Sequence, residues 1–149
     1  MSKPSPSLDP AQSAEAAAVD AYKGYWRALE TLYADSSGDT DQLKRVASGM
    51  AMVNADDDAK RARDRGHLII GSVSVTDSTV TASDMGRKAP KAVLTSCLDI
   101  TKWNVVLAST KKPLPLPSTR LTKYVITSTL EKWPQGWVVI EDTPQGKAC

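Results

Sequence analysis

Few residues in this chain have side chains suited to act on a substrate. There is a single histidine, His67, and the acid with the most defined setting is Asp99. Either could serve as a general base, because imidazole and carboxylate both exchange protons in the range that enzymes use. Their positions favour quieter roles. His67 follows Gly66, a residue type that ends helices, so it is placed to close a helix end or to lie at the surface. Asp99 alternates with Cys97 on one strand face, and its other role is to cap the turn toward Trp103. His67 and Asp99 are the catalytic candidates, and no motif raises either above a structural reading.

The candidates for ligand contact are Tyr22, Tyr25 and Trp26, an aromatic stripe at helical spacing. Such stripes usually form core, since large rings bury much area at low entropy cost. The chain has no phenylalanine, so these three, together with Tyr124, Trp133 and Trp137, are expected to supply all the aromatic packing. They are read as core first and as a pocket wall second.

Several chemistries find no support. There is no G-x-S-x-G elbow, no phosphate loop and no N-x-S/T acceptor. Two cysteines and one distant histidine lack zinc-ligand spacing, and no other metal or cofactor is implied. With 19 Lys+Arg against 17 Asp+Glu, the net charge of +2 does not argue for nucleic acid. Arg61, Arg63 and Arg65 follow three aspartates, Asp56 to Asp58, which reads as a solvated face rather than a phosphate-binding patch. No run approaches the roughly 18 apolar residues of a membrane span.

Cys97 lies in a strand-like run and Cys149 is the last residue. A bridge between them would pin a terminus that otherwise frays, and closing a loop of that size would stabilise the fold by about 4 kcal/mol. Disulfides persist in oxidising compartments. The alternative is two unrelated free thiols.

The elements that must position these residues are legible in outline. At 149 residues the chain suits one domain, 10–149, preceded by a Ser/Pro-rich segment, Met1–Asp9, expected to be an unstructured leader or linker. Such a segment often joins an anchor or a cleaved signal to a folded domain. Asp9-Pro10 with Gln12 has the form of a capping box, opening a helix to about Ala34 in which Ala18, Tyr22, Tyr25, Leu29 and Leu32 share a face. Asp39 and Gln42 are expected to cap a short second helix. A third runs from about Met50 to Arg65, with Asp56–Lys60 and Asp57–Arg61 pairs and a stop at Gly66. The texture then turns to β. Leu68–Thr76 extends past a bend at Asp77-Ser78, Lys91–Trp103 breaks near Asp99, and Thr119–Trp133 turns through Pro134-Gln135-Gly136 into Trp137–Asp142. Ser109–Ser118, rich in proline, is a loop. Helices followed by long antiparallel strands make an α+β fold, with about three helices on one face of a curved sheet of four or more strands.

The order of short segments carries a resemblance. Ala21-Tyr-Lys-Gly-Tyr-Trp-Arg-Ala28 opens the long helix, followed by Leu43-Lys-Arg-Val-Ala-Ser-Gly49 and Arg65-Gly66-His67. Then come Gly71-Ser-Val73, Cys97-Leu-Asp99 with Trp103, Gly136-Trp-Val-Val139 and a closing Gly146-Lys-Ala-Cys149. From about Ala11 to Cys149 the chain resembles a group of uncharacterised actinobacterial secreted proteins and lipoproteins of the NTF2-like, or cystatin-like cone, superfamily. The resemblance implies a cone of helices against a bent sheet, a Cys97–Cys149 bridge, and export with membrane anchoring in the precursor. It supplies no activity. The superfamily includes isomerases, dehydratases, polyketide cyclases and many non-catalytic binding or dimerising modules, and fold alone does not choose among them.

The leading expectation is therefore an exported cell-envelope domain, non-catalytic, that binds a small apolar ligand or a protein partner. The alternatives are a cone-pocket enzyme of the isomerase or dehydratase kind, or a structural module that forms a homodimer through its sheet. An open pocket with Asp or His beside Tyr favours the enzyme, and a filled interior excludes it.

Overall fold

The computed structural model describes residues 9–149, so the leader expected over Met1–Asp9 lies outside the described residues except for Asp9. Asp9 Oδ1 accepts from the backbone N–H of Gln12 at 2.8 Å, and Gln12 Oε1 accepts from that of Asp9 at 3.3 Å. This reciprocal box satisfies two donors that no helical carbonyl can reach. Helix α1, Pro10–Ala34, follows and buries Ala18, Tyr22, Tyr25, Leu29 and Leu32 along one face, with Trp26 beside them.

Helix α2 spans Asp41–Val46 and is not capped as expected. Thr40 holds the cap position without a side-chain bond, and Asp39 Oδ1 accepts from the N–H of Asp41 at 2.9 Å. The short carboxylate closes a turn two residues ahead instead of reaching a third-position donor. Helix α3, Gly49–Asp64, buries the alanine stripe Ala51, Ala55 and Ala59. The expected Asp56–Lys60 and Asp57–Arg61 pairs give way to Lys60–Asp64, at 3.0 Å, and Arg61–Asp58. These side chains are exposed, where competing ion pairs differ little in energy. Gly66, at φ +75°, ends the helix as expected.

The run read as one strand from Leu68 to Thr76 is two, β1 (His67–Gly71) and β2 (Ser74–Asp84). The division falls at Gly71, whose φ is +113° and where a Cβ would lie 1.9 Å from the carbonyl oxygen of Lys102. Only glycine passes there, and the chain changes sheets. The expected breakup near Asp99 separates β3 (Lys91–Asp99) from β4 (Trp103–Leu107), and β4 pairs with β1. Strand β5 is Lys123–Trp133, beginning four residues later than expected, and β6 is Gly136–Ala148, six residues longer at its end. Pro144 is tolerated within β6 because that strand lies at a sheet edge. The bend at Asp77-Ser78 is a bulge, with Asp77 at φ 52° and the register shifting between Thr76 and Thr79.

The result is an α+β fold in which the helices pack on an antiparallel sheet of order β2-β3-β5-β6, with β1 and β4 forming a separate two-stranded sheet. The single curved sheet expected from the strand count is thus divided. Leu94 and Leu98 of β3, Ile126 and Leu130 of β5, and Val139 of β6 meet the buried face of α1. Burial of each such side chain contributes about 1.5–3 kcal/mol. Cys97 lies on the other face of β3 and is bonded to Cys149, with Cα atoms 5.9 Å apart. The bond ties the end of β6 to β3 across the intervening β5.

Candidate functional site

Between α1, α3, the starts of β4 and β5 and the middle of β6 lies a cavity of about 210 Å³. Its walls are largely aromatic: Tyr25, Trp26 and Tyr33 from α1, Trp103 from β4 and Tyr124 from β5. Small side chains of α3, Ala51 and Ala55, leave the space open, and Asn54, Asp58 and Asp142 are its non-aromatic polar residues. The rings meet at steep angles. Tyr25 and Trp26 cross at 75°, Trp26 and Trp103 at 86°, and Tyr33 and Trp103 at 84°, with centroids 5.1–5.9 Å apart. Edge-to-face contact of this kind sets a positive ring edge against a negative face and adds about 0.5–1.5 kcal/mol per pair.

Asp142 reaches the cavity through a defect in the strand pairing. Leu130 faces Val139, but Thr129 faces Glu141, so Ile140 is an extra residue in β6. Strict alternation from Val139 would place Glu141 inward and Asp142 outward. The bulge reverses this and sets Asp142 directly opposite Ser128 on the inner face. There one carboxylate oxygen, Oδ1, accepts from the hydroxyl of Ser128 at 2.8 Å and from that of Tyr22 at 2.9 Å. Among the described residues Asp142 has no ion-pair partner. Loss of water around the carboxylate pushes its pKa up to about 7, against the two donors, which hold it down. The hydroxyls of Tyr22, Tyr25 and Tyr33 are pushed up in turn by burial first and by nearby aspartates second, so they stay protonated. The indole N–H groups of Trp26 and Trp103 are buried without a hydrogen-bond partner among the described residues.

The residues singled out from sequence are divided by this geometry. Tyr25 and Trp26 are both core and cavity wall. Tyr22 is fully buried behind the wall and acts through Asp142. His67 lies outside, in a surface groove with Arg65 and Leu116. Asp99 caps its turn, accepting from the N–H of Thr101 at 2.9 Å and its hydroxyl at 2.5 Å, which holds the carboxyl below its usual range. Neither catalytic candidate enters the cavity. Asp142 is not among the residues the sequence singles out; the signal for it lies in Ser128, a polar residue between the inward-facing Ile126 and Leu130.

Among the described residues no cluster of His, Cys, Asp and Glu could hold a metal, and no helix is long and apolar enough to cross a membrane. Sequence comparison matches the chain to no protein-family model and to no curated protein. Solved structures share its fold. The crystal structure of the intermembrane space region of the chloroplast protein ARC6 has a TM-score of 0.59 at 10% identity, over 97% of this chain and 100% of that one. That of the Kfla4162 protein from Kribbella flavida has a TM-score of 0.51 at 9% identity, over 90% of each chain. Identities this low establish a common fold and nothing further.

Proposed function

We propose that this chain is an exported, non-catalytic binding domain of the NTF2-like cone superfamily, and that its cavity takes a small ligand with a mainly apolar body. The observation that carries this reading is the aromatic-walled space of about 210 Å³ with Asp142 on its inner wall. Apolar walls supply affinity in such sites while a few polar groups set orientation. For scale, a cavity of about 150 Å³ in another protein accepts benzene. The Cys97–Cys149 bond supports an oxidising, extracytoplasmic setting. Membrane anchoring in the precursor rests on the resemblance to secreted lipoproteins, and the sequence of the native gene start tests it.

The binding reading is tested by titrating the protein with toluene and with p-cresol while recording the indole N–H signals of Trp26 and Trp103 by NMR. Saturable shifts at those two, with Trp133 unmoved, support it. Shifts that never saturate, or that are uniform across the tryptophans, overturn it.

A second reading has its own observation. Asp142 beside Tyr22 in an open cavity, titrating near 7, is a pairing that a proton-transferring isomerase or dehydratase could use. The geometry favours binding, because the Tyr22 hydroxyl is committed to Asp142 and so is not free to polarise a substrate. Exchange of solvent deuterium into cyclohexanone separates the two. Exchange above the buffer rate that Asp142→Asn abolishes supports the enzyme, and exchange at the buffer rate rejects it for ketone substrates.

A further inference from the structure

We infer that the cavity is a cage for a small organic cation, an alkylated or quaternary ammonium group, with Asp142 as its counter-charge. This rests on the binding reading and names the ligand class. Three features converge on it. The first is the arrangement of rings: Tyr25, Trp26, Trp103 and Tyr33, all of which line the cavity, meet in succession at 75°, 86° and 84°, so they are crossed rather than stacked. A ring face is negative, and crossed rings surround a rounded cation in a way that parallel rings cannot. The second is sign. No lysine, arginine or histidine lines the cavity, whereas two carboxylates do.

The third is the different state of those carboxylates. Asp58 is already engaged by Arg61 at the exposed surface of α3. Asp142 has two hydroxyl donors on one oxygen and no basic partner among the described residues, so its charge is uncompensated when the cavity is empty. A bound cation would supply the missing partner while its alkyl groups met the rings. A neutral ligand of the same shape would leave that cost in place. The volume of about 210 Å³ accommodates a group of this size.

Tyr22, Tyr25 and Tyr124 act on Asp142 or feel its charge, and Tyr33 from α1 and Asp58 from α3 share the cavity lining with it, while Arg120 acts on Tyr124. The tyrosines remain neutral up to alkaline pH, whereas the charge of Asp142 changes near neutrality. Cation affinity should therefore climb as Asp142 ionises, and affinity for a neutral ligand should not.

The test compares choline with 3,3-dimethylbutan-1-ol, its neutral isostere, by calorimetry and by the Trp26 and Trp103 indole signals. Choline should bind about tenfold or more tightly than the isostere, since a desolvated cation–π contact supplies at least that difference. Its affinity should rise between about pH 6 and pH 8 while that of the isostere stays level. Asp142→Asn should remove the pH dependence and reduce the preference to the part that the rings supply. Trp103→Leu should weaken choline more than the isostere. Equal or tighter binding of the isostere to the unaltered protein overturns the cation cage and leaves the apolar-ligand reading standing. Absence of saturable binding by choline, the isostere, toluene and p-cresol overturns both.

Discussion

The hydroxyl of Tyr22 donates to Oδ1 of Asp142 at 2.9 Å, joining the first helix to the last strand across 120 positions of sequence. Ser128 donates to the same oxygen from the neighbouring strand at 2.8 Å. Two donors compensate only part of what the carboxylate loses by leaving water, and its pKa therefore lies near 7. A fold seldom keeps such a group inside for stability alone, because an apolar residue of similar volume avoids the desolvation cost.

Stability should fall as the pH rises across the acid range. The proton on Asp142 is held more tightly in the folded chain, with a pKa of about 7 against 3.8 for the ordinary side chain. Between those values the folded state binds more protons than the unfolded one, so rising pH favours unfolding. At about 1.4 kcal/mol for each pH unit, the loss reaches up to about 4 kcal/mol. Urea midpoints measured from about pH 4 to pH 8 should decline, and Asp142→Asn should flatten the curve.

Tyr22→Phe should cost about 1–3 kcal/mol near pH 8, where the lost bond is to a carboxylate, and less near pH 5, where Asp142 is protonated. Tyr25→Phe removes no hydrogen bond between described residues and should cost little at either pH. Denaturant unfolding of both variants at the two pH values checks the contrast.

Reducing the Cys97–Cys149 bond should lower stability by about 4 kcal/mol on the chain-entropy estimate for a loop of 52 residues. Intact mass should rise by two hydrogens on reduction. Alkylation of both thiols without reductant would contradict the bond.

Two glycines should respond in opposite directions to alanine. Gly71→Ala places a Cβ 1.9 Å from the Lys102 carbonyl at φ +113° and should destabilise by about 3 kcal/mol or more. At Gly24, inside α1, a Cβ meets nothing within 4 Å, and Gly24→Ala should stabilise by about 0.5–1 kcal/mol. Thermal unfolding of the two variants reads both signs.

Local chemistry made much of the architecture legible in the residues themselves. The capping box of Asp9 and Gln12, the buried stripe of α1 and the stop at Gly66 each depend on neighbours within about a helical turn, and each forms as read. The bond between Cys97 and Cys149 is legible from the terminus it pins, with free thiols as the alternative, and the resemblance implies it as well. The tertiary structure decided the sheet division at Gly71, because the steric conflict there is with Lys102, thirty-one positions away. It decided the site for the same reason. Asp142 faces inward only because Ile140 is left over when β6 pairs with β5, and a leftover residue exists only relative to a partner strand. Taken alone, the run Val138-Val-Ile-Glu-Asp142 sets Val138, Ile140 and Asp142 on one face and Val139 and Glu141 on the other, without saying which face is inward. Which acid enters the cavity is thus a property of two strands in register, and no reading of one strand contains it.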